Sequence, residues 1–166
     1  MLEDGSVYEG TARGDFKETA CEIVFNTSMT GYVEILTDPS YAGQGVVMTY
    51  PMIGNYGISR EDFESERLQP SAFIVHELSS DPSNFRCTDT IENLLKEYNI
   101  PCISGVDTRA VVKKLRESGT MRGVLTSDIG DRERLMDVIK SFRQIDLVGS
   151  VTAKQTKVYG EENTGA

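Results

Sequence analysis

Residues 26–44 read Asn26-Thr27-Ser28-Met29-Thr30-Gly31-Tyr32-Val33-Glu34-Ile35-Leu36-Thr37-Asp38-Pro39-Ser40-Tyr41-Ala42-Gly43-Gln44. The stretch is dense in hydroxyls, turn formers and small residues, and it keeps neither the helical nor the strand period. Ser28, Thr30, Thr37 and Ser40 supply four side-chain hydroxyls, and Gly31, Pro39 and Gly43 punctuate the backbone. Asp38-Pro39-Ser40-Tyr41 has the residues of a turn, with Asp at the first position and Pro fixing φ at the second. Two uses of such a turn stay open. It can hold a serine hydroxyl and nearby N–H groups at one point where a small polar ligand meets them, or its hydroxyls can satisfy their own backbone.

Outward from this stretch the first half of the chain is β-rich. Upstream, Thr19 to Phe25 carries Ile23, Val24 and Phe25, a β-branched and aromatic run with polar bounds, and Ser6 to Glu9 alternates weakly. Within the stretch, Tyr32 to Leu36 is expected as a short strand. Downstream, Val46 to Tyr50 predicts a strand stopped by Pro51. Gly54-Asn55-Tyr56-Gly57 reads as a tight loop, either an ordinary turn or a partner contact. Ile58 to Pro70 is charged and irregular, a solvated connection, and Ser71 to His76 fits a buried strand.

The second half changes rhythm. Ile91, Leu94, Leu95 and Tyr98 form one helical stripe, with Asp89 and Glu92 at capping-box spacing. Ile100 to Gly105 reads as a short strand. Asp107 or Thr108 then caps a helix with Val111, Val112 and Leu115 inward, closed by Gly119. Met121 to Thr126 predicts a strand, and Asp131 to Phe142 a helix with Leu135, Val138, Ile139 and Phe142 on one face. A run of strands followed by strand–helix alternation implies a mixed, α+β fold, a β-rich layer packed on a small α/β unit. Val151 to Ala166 loses the pattern and has the composition of a linker or terminal strand.

Composition narrows the function. At 166 residues, with 26 acidic against 17 basic side chains and a net charge of −9, the chain repels phosphate backbones and anionic lipids, which argues against nucleic-acid and membrane partners. The three cysteines, Cys21, Cys87 and Cys102, are far apart, with no CxxC pair, as suits free thiols in a reducing cytoplasm. No apolar run approaches the roughly 20 residues of a membrane span. The single histidine, His76, is the one candidate base for a thiolate nucleophile, and at the end of an apolar strand it is expected to be structural. One histidine and scattered thiols do not make a tetrahedral metal set. Neither GxxxxGK[ST] nor GxGxxG is present, so no nucleotide cradle is expected.

Ordered blocks across the chain carry a family resemblance: Leu2-Glu3-Asp4-Gly5, Ser28-Met29-Thr30-Gly31-Tyr32, Glu34 to Tyr41, Thr49-Tyr50-Pro51, Ile53 to Gly57, Ser83-Asn84-Phe85-Arg86 and Gly105 to Arg109. From residue 2 to about 123 the chain resembles the N-terminal half of the small, glutamine-hydrolysing chain of carbamoyl phosphate synthetase. The resemblance implies a swivelling β/β/α type of fold. It implies a non-catalytic N-terminal domain over 1–150, with 151–166 leading toward a glutaminase domain, and a first strand shortened at Met1.

The resemblance also assigns roles. The family's glutaminase half splits glutamine with a cysteine–histidine pair, and no residue of this segment matches that pair, so the segment alone is expected to be inactive. The serine of the Asp-Pro-Ser-Tyr turn, here Ser40, is implied to contact bound L-glutamine, while Asp38 organises the turn or touches ligand. No catalytic residue, metal or cofactor is expected in the segment; ATP and magnesium are expected on the separate large chain. The implied setting is a cytoplasmic heterodimer, a ligase and glutamine amidotransferase of arginine and pyrimidine biosynthesis. A free-standing interaction module reusing the fold is the alternative, and a small thiol enzyme a third.

Overall fold

The computed structural model describes residues 1–14 and 16–143. Eight strands and four α-helices are named here: β1 (Thr11–Arg13), β2 (Thr19–Asn26), α1 (Tyr32–Thr37), β3 (Gln44–Met48), β4 (Met52–Ile53), β5 (Ala72–Ile74), β6 (Glu77–Leu78), α2 (Ile91–Glu97), β7 (Cys102–Ser104), α3 (Thr108–Ser118), β8 (Met121–Leu125) and α4 (Arg132–Ser141). Short 3-10 turns cover Pro39–Tyr41 and Arg60–Asp62. Six strands form one sheet in the order β1-β7-β5-β3-β2-β8, and β4 pairs with β6 in a small second sheet.

The inner strands β7, β5, β3 and β2 are parallel, whereas β1 and β8 run antiparallel along the two edges. At the centre of the sheet both faces are covered: Gly45 to Met48 of β3 and all of β5 are buried without alternation. The strand period sends alternate side chains to opposite faces. Val46, Met48, Phe73 and Cys102 meet Leu36 of α1 and Leu94 of α2 on one side. Ile23, Val47, Ile74 and Ile103 meet Val111 and Leu115 of α3 on the other. Leu135 and Ile139 of α4 pack on Val124 of β8.

The mixed α and β content matches expectation, but its layering differs from a β layer laid over a separate α/β unit. Strands of the two halves interleave: β7 lies between β1 and β5, and β8 borders β2. Local pattern names strands without naming neighbours, and these pairings join distant parts of the sequence, as Thr19 with Leu125.

Two elements are corrected. Tyr32–Thr37 is helical, not a strand. Gly31 at φ 79° turns the chain, the Ile35 N–H donates to the Gly31 carbonyl at 3.0 Å, and Tyr32, Val33, Ile35 and Leu36 are buried at helical spacing. Five residues are too few for periodicity to separate the two periods. The first paired strand is Thr11–Arg13 rather than Ser6 to Glu9, held to β7.

Helix ends largely follow their sequence signals. Asp107 caps α3 by accepting from the Ala110 N–H at 2.9 Å, and Asp131 caps α4 from the Arg134 N–H at 2.9 Å. On α2 the cap is Thr90, accepting from the Asn93 N–H at 3.2 Å. Asp89, expected in that role, accepts from the Thr90 N–H at 2.7 Å and the Asn93 amide at 2.8 Å instead. Residues 151–166, expected as linker or terminal strand, lie outside the described residues.

Candidate functional site

The turn at Asp38–Tyr41 is built by its own sequence. Pro39 opens a 3-10 turn, and the Asp38 carboxylate accepts from the Ser40 N–H at 2.8 Å. The Tyr41 N–H donates to the Asp38 carbonyl at 3.1 Å, and the Ala42 N–H to the Pro39 carbonyl at 3.1 Å. The Asp38 side chain therefore organises the turn, an Asx bond two residues on. Ser40 is exposed, and its hydroxyl has no hydrogen-bond partner among the described residues. A hydroxyl in that state can both donate and accept toward something outside the chain.

The neighbouring loop is tied to this turn. The Asn26 side-chain amide donates to the Tyr41 hydroxyl at 2.9 Å, and its carbonyl oxygen accepts from the Ser28 N–H at 2.7 Å. One asparagine at the end of β2 thus fixes both the turn and the exposed segment 27–30. Met29 on that segment is 71% exposed.

The four hydroxyls divide. Thr37 is fully buried: its hydroxyl donates to the Val33 carbonyl at 2.9 Å and accepts from the Glu64 N–H at 2.9 Å. It fastens the charged connection to α1 and is unavailable to a ligand. Ser28, Thr30 and Ser40 are exposed.

The loop at Gly54–Gly57 is a turn, closed by the Gly57 N–H on the Gly54 carbonyl at 3.0 Å, and it also supports the site. The Tyr56 hydroxyl accepts from the Gly31 N–H at 2.7 Å and the Tyr32 N–H at 3.2 Å, so it satisfies the first N–H groups of α1. The buried Tyr32 hydroxyl donates to the Gly57 carbonyl at 2.8 Å, and the two rings stack at 4.2 Å. Burial pushes both phenols above their ordinary value. Gly57, at φ 69°, leaves room for Cys87; a side-chain carbon there overlaps the Cys87 sulfur. Nothing in the local sequence announces that Tyr56 caps α1, because the partners are far apart along the chain.

Nucleophilic chemistry is disfavoured by the environments. Burial pushes the Cys21 and Cys102 thiols up to about 12, away from the thiolate that nucleophilic attack needs. Half-buried Cys87 donates to the Asp89 carbonyl at 3.2 Å. The His76 Nδ1 lies 3.1 Å from the Val106 carbonyl, a bond that serves the backbone. Among the described residues no group of three His, Cys, Asp or Glu side chains is placed to hold a metal ion, and no helix is long and apolar enough to cross a membrane.

Fold and site together define a mixed α/β domain that presents an Asp-braced serine at its surface beside a hydroxyl-bearing loop. Residues 1–125 match the family described as carbamoyl-phosphate synthase small chain, CPSase domain. The chain is 50% identical over 161 residues to the carbamoyl phosphate synthase small chain of Archaeoglobus fulgidus, covering 94% of this chain and 44% of that one. It is 54% identical over 155 residues to the corresponding chain of Fusobacterium nucleatum (93% and 43%), and 49% over 154 residues to that of Caldanaerobacter subterraneus (93% and 41%). The chain belongs to the carbamoyl phosphate synthase small-chain family, and it spans less than half the length of these relatives.

Proposed function

We propose that this chain is the non-catalytic N-terminal domain of a carbamoyl phosphate synthetase small chain, forming one wall of the glutamine site through Ser40. The observation that carries the reading is the exposed Ser40 hydroxyl, without a partner, on a turn braced by Asp38. Set against a glutaminase domain, this hydroxyl meets the carboxylate or amino end of L-glutamine and helps exclude water from one side.

The whole enzyme is a cytoplasmic ligase and glutamine amidotransferase. It makes carbamoyl phosphate from bicarbonate, glutamine nitrogen and ATP, for arginine and pyrimidine synthesis. The small chain supplies the ammonia, and the large chain holds ATP and magnesium. The domain contacts both the glutaminase domain and the large chain.

Purified chain 1–166 incubated with glutamine tests the non-catalytic assignment. The expected result is no ammonia above buffer, against steady release by a full-length small chain. Ammonia release by 1–166 alone overturns it.

A further inference from the structure

We propose that Asp4-Gly5 is a site of spontaneous isoaspartate formation that the folded turn holds dormant, with the Lys114 ammonium as part of the lock. It is the single Asp-Gly pair of the sequence, and no Asn-Gly pair is present. The reaction brings the N–H of the following residue against the aspartyl side chain, and a glycine there leaves the approach open. Both residues are exposed, and a side-chain carbon built on Gly5 would meet nothing within 4 Å.

The chemistry needs only water. The Gly5 nitrogen gives up its proton and attacks Cγ of the protonated Asp4 carboxyl. A C–N bond forms, a C–O bond breaks, and the departing hydroxyl leaves with the amide proton as water. The product is a five-membered succinimide. Water then adds at the Asp4 main-chain carbonyl carbon, the bond from that carbon to the Gly5 nitrogen breaks, and the nitrogen stays linked through Cγ. One water leaves and one returns, and nothing is oxidised or reduced.

The native turn opposes the first step at each reacting group. The Gly5 N–H donates to the Leu2 carbonyl at 2.9 Å, which closes the turn and keeps the proton engaged. The Asp4 Oδ1 accepts from the Ser6 N–H at 2.9 Å, so the carboxylate is held on the nitrogen beyond the nucleophile. The Lys114 ammonium of α3 lies 3.0 Å from the Asp4 Oδ2. The carboxyl must be neutral to lose its hydroxyl, whereas the Ser6 N–H and then Lys114 hold it below its ordinary range and keep it charged. The turn is itself pinned to the fold. The Leu2 N–H donates to the Ser6 carbonyl at 2.8 Å, and the Glu3 N–H to the Arg122 carbonyl of β8 at 2.9 Å. Dormancy thus belongs to the folded edge beside β8 and α3, and reactivity to the local sequence. An isoaspartyl link adds one main-chain carbon between residues 4 and 5, so its product cannot close the same turn.

The test incubates the full 166-residue chain in neutral buffer, folded and, separately, unfolded in guanidinium chloride. The tryptic peptide 1–13 is followed by chromatography against synthetic aspartyl and isoaspartyl standards. Isoaspartate is expected to appear in the folded chain more slowly by about tenfold or more, because the turn must open before the attack. Lys114→Met is expected to raise the folded rate by about 1.5- to 5-fold, the range of an exposed ion pair, and to leave the unfolded rate unchanged. Lys113→Met, which lowers the charge equally on the same helix, is expected to change neither rate. Circular dichroism checks the fold of each variant. Sodium chloride supplies an arm that needs no variant: screening of the pair is expected to raise the folded rate of wild type.

Equal rates in the folded and unfolded chain overturn the lock. Absence of isoaspartate from the unfolded chain overturns the site itself. A folded Lys114→Met chain that matches wild type, or equal acceleration by Lys113→Met, overturns the part given to Lys114.

Discussion

Tyr56 and Tyr32 hold each other across 24 residues: their rings stack at 4.2 Å, and the Tyr56 hydroxyl accepts from the Tyr32 N–H at 3.2 Å. The same hydroxyl takes the Gly31 N–H at 2.7 Å, while the Tyr32 hydroxyl donates to the carbonyl of Gly57, next to Tyr56. The pair locks the start of α1, and with it the segment that ends in the Ser40 turn. Tyr56→Phe keeps the ring and removes the acceptor, leaving two N–H groups of α1 without it. The expected loss is about 1–3 kcal/mol, read by urea unfolding. A double-mutant cycle with Tyr32→Phe is expected to show coupling of about 0.5–3 kcal/mol. Strict additivity contradicts the reciprocal clamp.

At acid pH the pair Glu18–Arg134 sets a specific slope. The two guanidinium nitrogens donate to the Glu18 carboxylate at 2.8 Å each, and the Thr126 hydroxyl adds a bond at 2.9 Å. The Arg134 bonds pull the Glu18 carboxyl from its ordinary 4.5 down to about 2. In the unfolded chain the group takes a proton first, so the stabilisation is complete above pH 4.5 and fades as pH falls toward about 2. Glu18→Gln is expected to flatten the fall of stability across that window and to leave the difference from wild type constant above it. Salt weakens the effect because the pair lies at the surface. Unchanged acid unfolding curves refute the assignment.

The alkaline side belongs to two thiols. Burial pushes Cys21 and Cys102 from an ordinary 9.0 up to about 12, so above pH 9 the unfolded chain releases these protons while the folded chain keeps them. Their contribution is complete below pH 9 and is lost as pH rises toward 12. Urea midpoints measured through that range are expected to fall more steeply for wild type than for Cys21→Ala or Cys102→Ala. A thiol-reactive dye in native buffer is expected to reach Cys87 first and the other two only on unfolding. Fast reaction of all three in the native state contradicts this burial pattern.

The brace under the serine separates from the serine itself. Asp38→Ala removes the carboxylate that accepts from the Ser40 N–H and is expected to cost about 0.5–2 kcal/mol, the range for lost caps. Ser40→Ala, at an exposed side chain, is expected to stay within about 0.5 kcal/mol of wild type. Thermal melts of the two variants check the contrast. A large loss with Ser40→Ala shows a structural hydroxyl.

Much of this was legible in the residues. Strands β2, β3, β5, β7 and β8 followed short β-branched or apolar runs, and α2, α3 and α4 followed apolar stripes, because a half-buried helix leaves its period in the chain and a covered strand its apolar composition. The Asp38–Tyr41 turn announced itself through Pro39 and an aspartate whose side chain bonds locally. The helix at Tyr32–Thr37 did not, since its start depends on a hydroxyl from Tyr56. Asn26, which joins the turn to the exposed loop, is likewise invisible to local pattern, because its partner Tyr41 lies 15 residues on. Sheet order escaped for the same reason.

The most direct measurement is the glutamine KM of a small chain carrying Ser40→Ala, assembled with its large chain and assayed with glutamine and, separately, with ammonia. The account predicts a raised glutamine KM and unchanged ammonia-driven turnover, since the proposed role gives the hydroxyl a contact with the amino acid alone. Unaltered glutamine kinetics, or equal loss with both nitrogen donors, contradicts it.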